Sequence, residues 1–355
     1  MSDRQAATPV AAPANGPGGD VGMAHGGRPN RWAAVARLLS SRPVRWGFVA
    51  VAVGLAVYAV TREWSGVREA LASLGYLRVA AAMVSVLFAI FAAMQMWRAL
   101  LSALGSPLPL PTAARILFIG QLGKYLPGSI WPVLAQMELA SAHDVPRRRS
   151  ATASALTLLL ALVTGLLIAL ATLPFVARST PYRWVFLAAP VLLICLHPRL
   201  LNRLIDRLLR LARRPALEQP LTGRALAGAL GWSALSWVCY GLQIWLLVTR
   251  LGASYGSGAL LAVGGFAFAW CVGFVVVFAP AGAGIREVML IAMLGPVVGV
   301  GGATAVALLS RALVSLGDVL MAGAAVVYSR HPGVRRARDD VAPAEERPPG
   351  HEVSQ

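Results

Sequence analysis

Residues 120–140 read GQLGKYLPGSIWPVLAQMELA, and this stretch says more about the architecture than any other. It lies within an apolar region, Thr112–Glu138, but Pro127 and Gly128 interrupt that region, and Lys124 stands three residues before the interruption. Lipid cannot satisfy the backbone groups that a helix break sets free, so a break at membrane depth must face protein or water. The stretch therefore predicts a broken helical hairpin rather than a simple membrane span.

The composition places this hairpin in a membrane protein. Of 355 residues, 57% are hydrophobic and 13% are charged, which is too apolar for an ordinary soluble domain. The formal net charge of +17 is typical of some nucleic-acid-binding proteins, but here it is better interpreted as membrane topology. We expect no nucleic-acid partner. Arg supplies 31 of the 32 basic residues, and Lys124 is the only Lys.

Common soluble chemistries find no support in the sequence. The three Cys lie in apolar segments without metal-site spacing, the five His are scattered, and neither GxSxG nor GxxxxGK[ST] occurs. Residues 1–43 and 329–355 are predicted to be disordered cytoplasmic tails. We therefore expect no metal and no cofactor, and any chemistry must take place in or beside the bilayer.

The apolar segments predict an all-α polytopic membrane domain over residues 44–328. A spanning helix needs about 20 apolar residues, and a second apolar region, Ser257–Gly299, is interrupted by APAGAGIRE. A hydropathy count gives about eight helices. The six segments predicted to span fully are Val44–Thr61, Val79–Leu101, Ala151–Ala177, Tyr182–Leu196, Ala225–Val248 and Ala303–Tyr328.

Arginine clusters orient the chain. Four clusters are predicted to be cytoplasmic: those before Val44, at 147–149, between 199 and 224, and after Tyr328. Both termini of this cytoplasmic-membrane protein are therefore predicted to lie on the cytoplasmic side. The first broken region must then enter and leave from the cytoplasm, and the second from outside. Two re-entrant-like hairpins of opposite direction suggest an inverted-topology repeat, as in many transporters. Residues 199–214 form a basic amphipathic pattern, predicted to lie on the anionic inner leaflet, more as a topology anchor than as a specific lipid site.

Charged residues at membrane depth usually mark substrate or ion paths. Lys124 could hold a phosphate or carboxylate, or instead reach an interface or pair with Glu138. Gly284 could begin a helix whose N–H groups favour an anion, with Arg286 adding charge and Glu287 capping the helix, pairing with Arg286 or exchanging protons.

Two further charges, Arg311 and Asp318, are two helical turns apart on one face of the last span. They could bind substrate, or form ion pairs with Lys124, Glu138, Arg286 or Glu287. Gln95 and Gln243 are better interpreted as interhelical hydrogen-bonding residues than as ligands.

Together, the first motif and the later APAGAGIREVML resemble the lysylphosphatidylglycerol synthase transmembrane family, also called flippase-like membrane proteins. The resemblance covers about residues 44–328, and the chain departs from many members by having Trp131 and Pro132 after Pro-Gly-Ser. The candidate substrate-binding residues either match the two family motifs or are charged residues of the same apolar regions and of the last span. They are Gln121, Lys124, Tyr125, Pro127, Gly128, Ser129, Glu138, Pro280, Gly282, Gly284, Arg286, Glu287, Arg311 and Asp318.

The resemblance implies a domain that moves an aminoacylated phospholipid or a related lipid between leaflets, and links to envelope polysaccharide, hopanoid and glycolipid pathways. In full synthases a soluble aminoacyltransferase domain follows, and with about 25 residues after Tyr328 we expect no synthase activity here. The leading hypothesis is a translocase for a phosphate-bearing lipid. The alternatives are an intramembrane transferase and an accessory subunit for a glycosyltransferase or lipid synthase.

Overall fold

The computed structural model describes residues 74–126, 130–173, 221–275 and 284–329, together with Gly54, Arg203 and Arg207. Within these ranges the protein is entirely helical. One 3-10 turn, Leu122–Tyr125, follows α2, and another, Thr249–Leu251, follows α5. The helices are α1 (Tyr76–Ala103), α2 (Leu110–Gln121), α3 (Trp131–Ser141), α4 (Arg147–Thr172), α5 (Gly223–Val248), α6 (Tyr255–Val275) and α7 (Ile285–Ser329).

Among the described residues, five helices are long and apolar enough to cross a membrane, namely α1, α4, α5, α6 and α7. The spans predicted at Val79–Leu101, Ala225–Val248 and Ala303–Tyr328 lie within α1, α5 and α7. The span predicted from Ala151 belongs to α4, which begins four residues earlier, at Arg147. The protein is therefore a multi-pass membrane protein.

Several predictions fall outside the described residues. They are the spans Val44–Thr61 and Tyr182–Leu196, both tails, and most of the basic amphipathic segment 199–214. Within that segment Arg203 and Arg207 are helical and exposed.

The first broken region forms a pair of short helices. α2 has 12 residues and α3 has 11, so each is only about 18 Å long or less, well short of a bilayer core of about 30 Å. They pack against each other, and α3 also packs against α4 and α2 against α7. Trp131 and Pro132, which depart from the family pattern, occupy the first turn of α3, where a proline has no hydrogen bond to lose. Entry and exit from the cytoplasmic face remain a prediction.

The described residues of the second broken region form two arms of unequal length. α6 has 21 residues, whereas the return arm, residues 285–298, is shorter and leads directly into the rest of α7. Gly299 adopts φ 76° and ψ 157°, a backbone conformation that side chains with a Cβ disfavour, and it kinks α7 at this point. The inverted repeat remains a hypothesis.

Close helix packing holds the bundle together. The most extensive interface joins α1 to α5, while α6 packs against α4, α5 and α7. Gly241 lets α5 approach α6 so closely that a Cβ there would lie 2.5 Å from the Val263 Cα atom. Small residues at such crossings are how membrane helices gain contact, since lipid is as apolar as the side chains it replaces. Large apolar side chains on outward faces, such as Phe88 and Val300, remain exposed.

Candidate functional site

Lys124 and Tyr125 converge on one carboxylate oxygen. The 3-10 turn after α2 carries both residues to the part of α7 beyond the Gly299 kink, where Lys124 Nζ lies 2.6 Å from Asp318 Oδ2. The Tyr125 hydroxyl donates a hydrogen bond of 2.6 Å to the same oxygen. Asp318 is only 5% exposed, whereas Lys124 is 28% exposed. The tip of the first hairpin is therefore tied to the last helix by a charge-assisted contact.

Glu138 does not take part in this contact. It lies near the end of α3, and its Oε2 atom pairs with Arg147 Nη2 at the start of α4, at 2.8 Å. Arg147 is half exposed, so this pair is a local link between consecutive helices. The pairing of Lys124 with Glu138, one of the alternatives considered from sequence, is therefore wrong.

Glu287 joins the two parts of α7. Its Oε2 atom accepts a hydrogen bond of 2.6 Å from the Gly284 backbone N–H, so the side chain caps the helix to which it belongs. Its Oε1 atom lies 2.8 Å from Arg311 Nη1, beyond the Gly299 kink. Of the pairings considered from sequence, Glu287 with Arg311 and Asp318 with Lys124 are the ones that occur. Glu287 therefore occupies one of the N–H groups that are free at this helix end.

Arg286 has no carboxylate partner among the described residues. Its guanidinium carbon lies 4.4 Å from the centre of the Phe266 ring, within range of a cation–π interaction. Phe266 in turn stacks on Tyr240, with ring centres 5.1 Å apart. The Nη2 atom of Arg286 is buried and finds no hydrogen-bond partner in the described ranges. A buried polar group without a partner is costly and calls for an explanation, such as a ligand.

These groups form one polar region, here called the charge cluster and defined as Lys124, Arg286, Glu287, Arg311 and Asp318. Tyr240 lies within electrostatic reach of both Asp318 and Arg286, and Arg286 within reach of Glu287 and Arg311. The cluster lies mainly along α7, which packs against both α2 and α6. It gathers five charged side chains in a bundle that is otherwise mostly apolar.

The other predicted site residues are only partly located. Gln121 is the last residue of α2, partly buried and directly before the turn that carries Lys124. Pro127, Gly128, Ser129, Pro280 and Gly282 lie outside the described residues. Whether any of the predicted residues contacts a substrate remains a prediction.

The aromatic support of Arg286 was not predicted from sequence. Trp237, Tyr240, Phe266 and Trp270 form a continuous set of ring contacts between α5 and α6. The aromatic residues at 237 and 240, and those at 266 and 270, have helical spacing, and this spacing could have predicted aromatic faces on two helices. The spacing gave no indication that one of these rings would lie against Arg286.

A second polar space lies beside α1. A half-open cavity of about 180 Å³ is lined in part by Gln95, Arg98 and Trp232. Gln243 makes the expected interhelical hydrogen bond, to the Ser310 hydroxyl at 2.8 Å. The Oε1 atom of Gln95 is buried and has no partner in the described part of the chain.

The fold and the cluster define a class: a multi-pass helical membrane protein with two interrupted helical regions and a group of charged residues on and beside its last helix. Residues 45–321 match the model of the family described as "Lysylphosphatidylglycerol synthase TM region". Since this match covers most of the chain, the protein belongs to that family. A search of curated proteins found no match.

Proposed function

We propose that this protein is a translocase that moves a phosphate-bearing lipid between the leaflets of the cytoplasmic membrane. Membership of the family supports a role in lipid synthesis or movement. The observation that carries the proposal is Arg286, a cation with a buried guanidinium nitrogen that no described group satisfies. A phosphate oxygen is the natural acceptor for such a nitrogen, since guanidinium and phosphate match in charge and in geometry.

The surroundings of Arg286 suit a lipid rather than a soluble substrate. The charge cluster lies inside a bundle whose outward faces carry exposed apolar side chains, so acyl chains can remain in the bilayer while the head group enters. Broken helices beside a central polar site are the usual architecture of transporters. The short helices α2 and α3 supply such an interruption here.

Movement requires two states, and the Lys124–Asp318 contact supplies an element that can differ between them. In this structure it ties the hairpin tip to α7. Separation of Lys124 from Asp318 would free the hairpin tip and expose two opposite charges. A zwitterionic or anionic head group, with its counter-ions, can then solvate these charges. Rocking or gating of such elements around a fixed site is how related architectures alternate access.

An intramembrane transferase is less well supported. Such an enzyme would need a carboxylate able to act as a general base. Both carboxylates of the charge cluster already face a cation, Asp318 with Lys124 and Glu287 with Arg311.

Reconstitution tests the proposal directly. Purified protein is placed in vesicles containing phosphatidylglycerol with a fluorescent acyl chain, and dithionite added outside reports how fast inner-leaflet lipid becomes accessible. We expect the wild type to accelerate exchange, and Arg286→Gln to slow it by about tenfold or more, the factor that corresponds to 1.4 kcal/mol.

Arg250→Gln is the matched control, because Arg250 is exposed in the 3-10 turn after α5 and makes the same change of charge outside the cluster. Equal exchange in protein-free and wild-type vesicles would reject translocation. Equal exchange in the wild type and Arg286→Gln would reject the role of Arg286.

A further inference from the structure

The charge cluster is not neutral. It contains three cations, Lys124, Arg286 and Arg311, and two carboxylates, Glu287 and Asp318. Each carboxylate is matched by a cation within 2.8 Å, which leaves Arg286 in excess. This balance is that of the described residues, and the segments 127–129 and 276–283, which adjoin the cluster in sequence, contain no ionisable residue.

We infer that the cluster selects lipids whose phosphate head group carries a net negative charge, and discriminates against cationic head groups such as an aminoacylated phospholipid. This inference rests on the proposed function and specifies its substrate class. A phosphodiester with no compensating amine complements the one excess positive charge. A head group with an added lysyl moiety brings further positive charge to a site that already has too much.

Both carboxylates of the cluster already have a cationic partner. An ammonium that took the place of Lys124 would displace it from Asp318 Oδ2, together with the Tyr125 hydroxyl on the same oxygen. At Glu287 it would have to displace Arg311, and the second oxygen of Glu287 is held by the Gly284 N–H. Both displacements break charge-assisted bonds inside the bundle and leave another cation without its partner.

Arg286 is also arranged for an anion. Its guanidinium carbon lies 4.4 Å from the centre of the Phe266 ring, and its buried Nη2 atom has no hydrogen-bond partner among the described residues. Contact with the ring restricts the guanidinium, so less conformational freedom is lost when a phosphate binds. Lys124 is a point charge that Asp318 already occupies, so the two cations are not equivalent ligands.

Binding and transport together test the inference. Dissociation constants are measured for the detergent-purified protein with short-chain phosphatidylglycerol, phosphatidylethanolamine and lysylphosphatidylglycerol, and with soluble glycerol 3-phosphate. We expect phosphatidylglycerol to bind about tenfold or more tightly than lysylphosphatidylglycerol, with phosphatidylethanolamine between them. The same order is expected for exchange rates in vesicles.

Variants assign the selectivity to Arg286. Arg286→Gln should weaken phosphatidylglycerol binding about tenfold and remove the preference over lysylphosphatidylglycerol, whereas Arg250→Gln should leave both unchanged. Arg286→Lys keeps the charge but loses the planar fork, and should retain part of the preference. Melting temperatures of the unliganded variants establish that each is folded.

The outcomes separate this inference from the proposed function. Selective binding without lipid exchange would reject translocation and support the head-group class. Exchange with equal rates and affinities for the anionic and lysylated lipids would support translocation and overturn the inference. Absence of binding by every lipid, or glycerol 3-phosphate binding as tightly as phosphatidylglycerol, would overturn the assignment of an anionic lipid.

Discussion

Lys124 and Arg286 occupy comparable places in the sequence and opposite situations in the structure. Each stands beside a Pro- and Gly-containing interruption of an apolar region. Lys124 meets a buried carboxylate at 2.6 Å, and the neighbouring Tyr125 donates to the same oxygen. Arg286 lies on an aromatic ring and has a buried nitrogen with no described partner.

The difference teaches that a charge at membrane depth has two distinct uses. When its partner belongs to the same protein, it fixes the packing of elements that are distant in sequence, as Lys124 does for the hairpin tip and α7. When no partner is supplied, the free energy of burial is recovered only if a ligand supplies one. Stability and transport should therefore respond in opposite ways to changes at these two positions.

Among the three paired carboxylates, loss of Asp318 should cost the most stability. In Asp318→Asn the charge of Lys124 loses its counter-ion, and removal of one partner of a buried pair is strongly destabilising. Since Lys124 is 28% exposed and can turn partly toward a polar environment, we expect a loss of about 2 kcal/mol rather than the full effect of a wholly buried pair.

Denaturant unfolding in detergent measures this loss. The double variant Lys124→Met, Asp318→Leu should recover part of it, because both charges leave together. A double variant less stable than either single variant would contradict the pairing.

The Glu287–Arg311 pair should contribute less. Glu287→Gln keeps an oxygen that can accept from the Gly284 N–H but removes the charge that faces Arg311. We expect a loss of about 1 kcal/mol, since Arg311 is 25% exposed and can partly resolvate. The same variant makes the net charge of the cluster beside Arg286 more positive, so the affinity of the Glu287→Gln protein for phosphatidylglycerol should increase. An unchanged or lower affinity, measured alongside the unfolding curves, would argue against electrostatic selection.

The positions of the helices could be predicted well from the sequence, and the pairings could not. α1, α4 and α5 were located to within a few residues because a bilayer admits only helices of sufficient apolar length. Tyr125 and Asp318, by contrast, are 193 residues apart, and no local pattern could show that they meet. The residue types at the cluster were predicted because intramembrane charges are rare. The sequence could not show which cation would lack a partner, because that depends on how the helices pack. Phe266, which lies against Arg286, carries no charge and so gave no signal in the sequence.

Glu138 provides a surface comparison for the two buried pairs. Its partner Arg147 is half exposed, and exposed ion pairs contribute about 0.2–1 kcal/mol. Glu138→Gln should therefore lower the free energy of unfolding by about 0.5 kcal/mol and leave lipid exchange unchanged. A loss as large as that of Asp318→Asn would show that the link between α3 and α4 fixes the hairpin more than the Lys124 contact does.

Arg286→Met should have a small effect on stability and the most selective effect on function. The change removes a cation–π contact with Phe266, worth about 1 kcal/mol, and also removes a buried nitrogen whose missing hydrogen bond costs about as much. The two contributions nearly cancel, so the free energy of unfolding should stay within about 1 kcal/mol of the wild type while lipid exchange is lost. Lys124→Met, by contrast, should clearly lower stability, because it leaves the buried carboxylate of Asp318 without its counter-ion. If unfolding showed Arg286→Met to be as destabilised as Asp318→Asn, Arg286 would have a partner within the protein, and its role in binding the head group would fall.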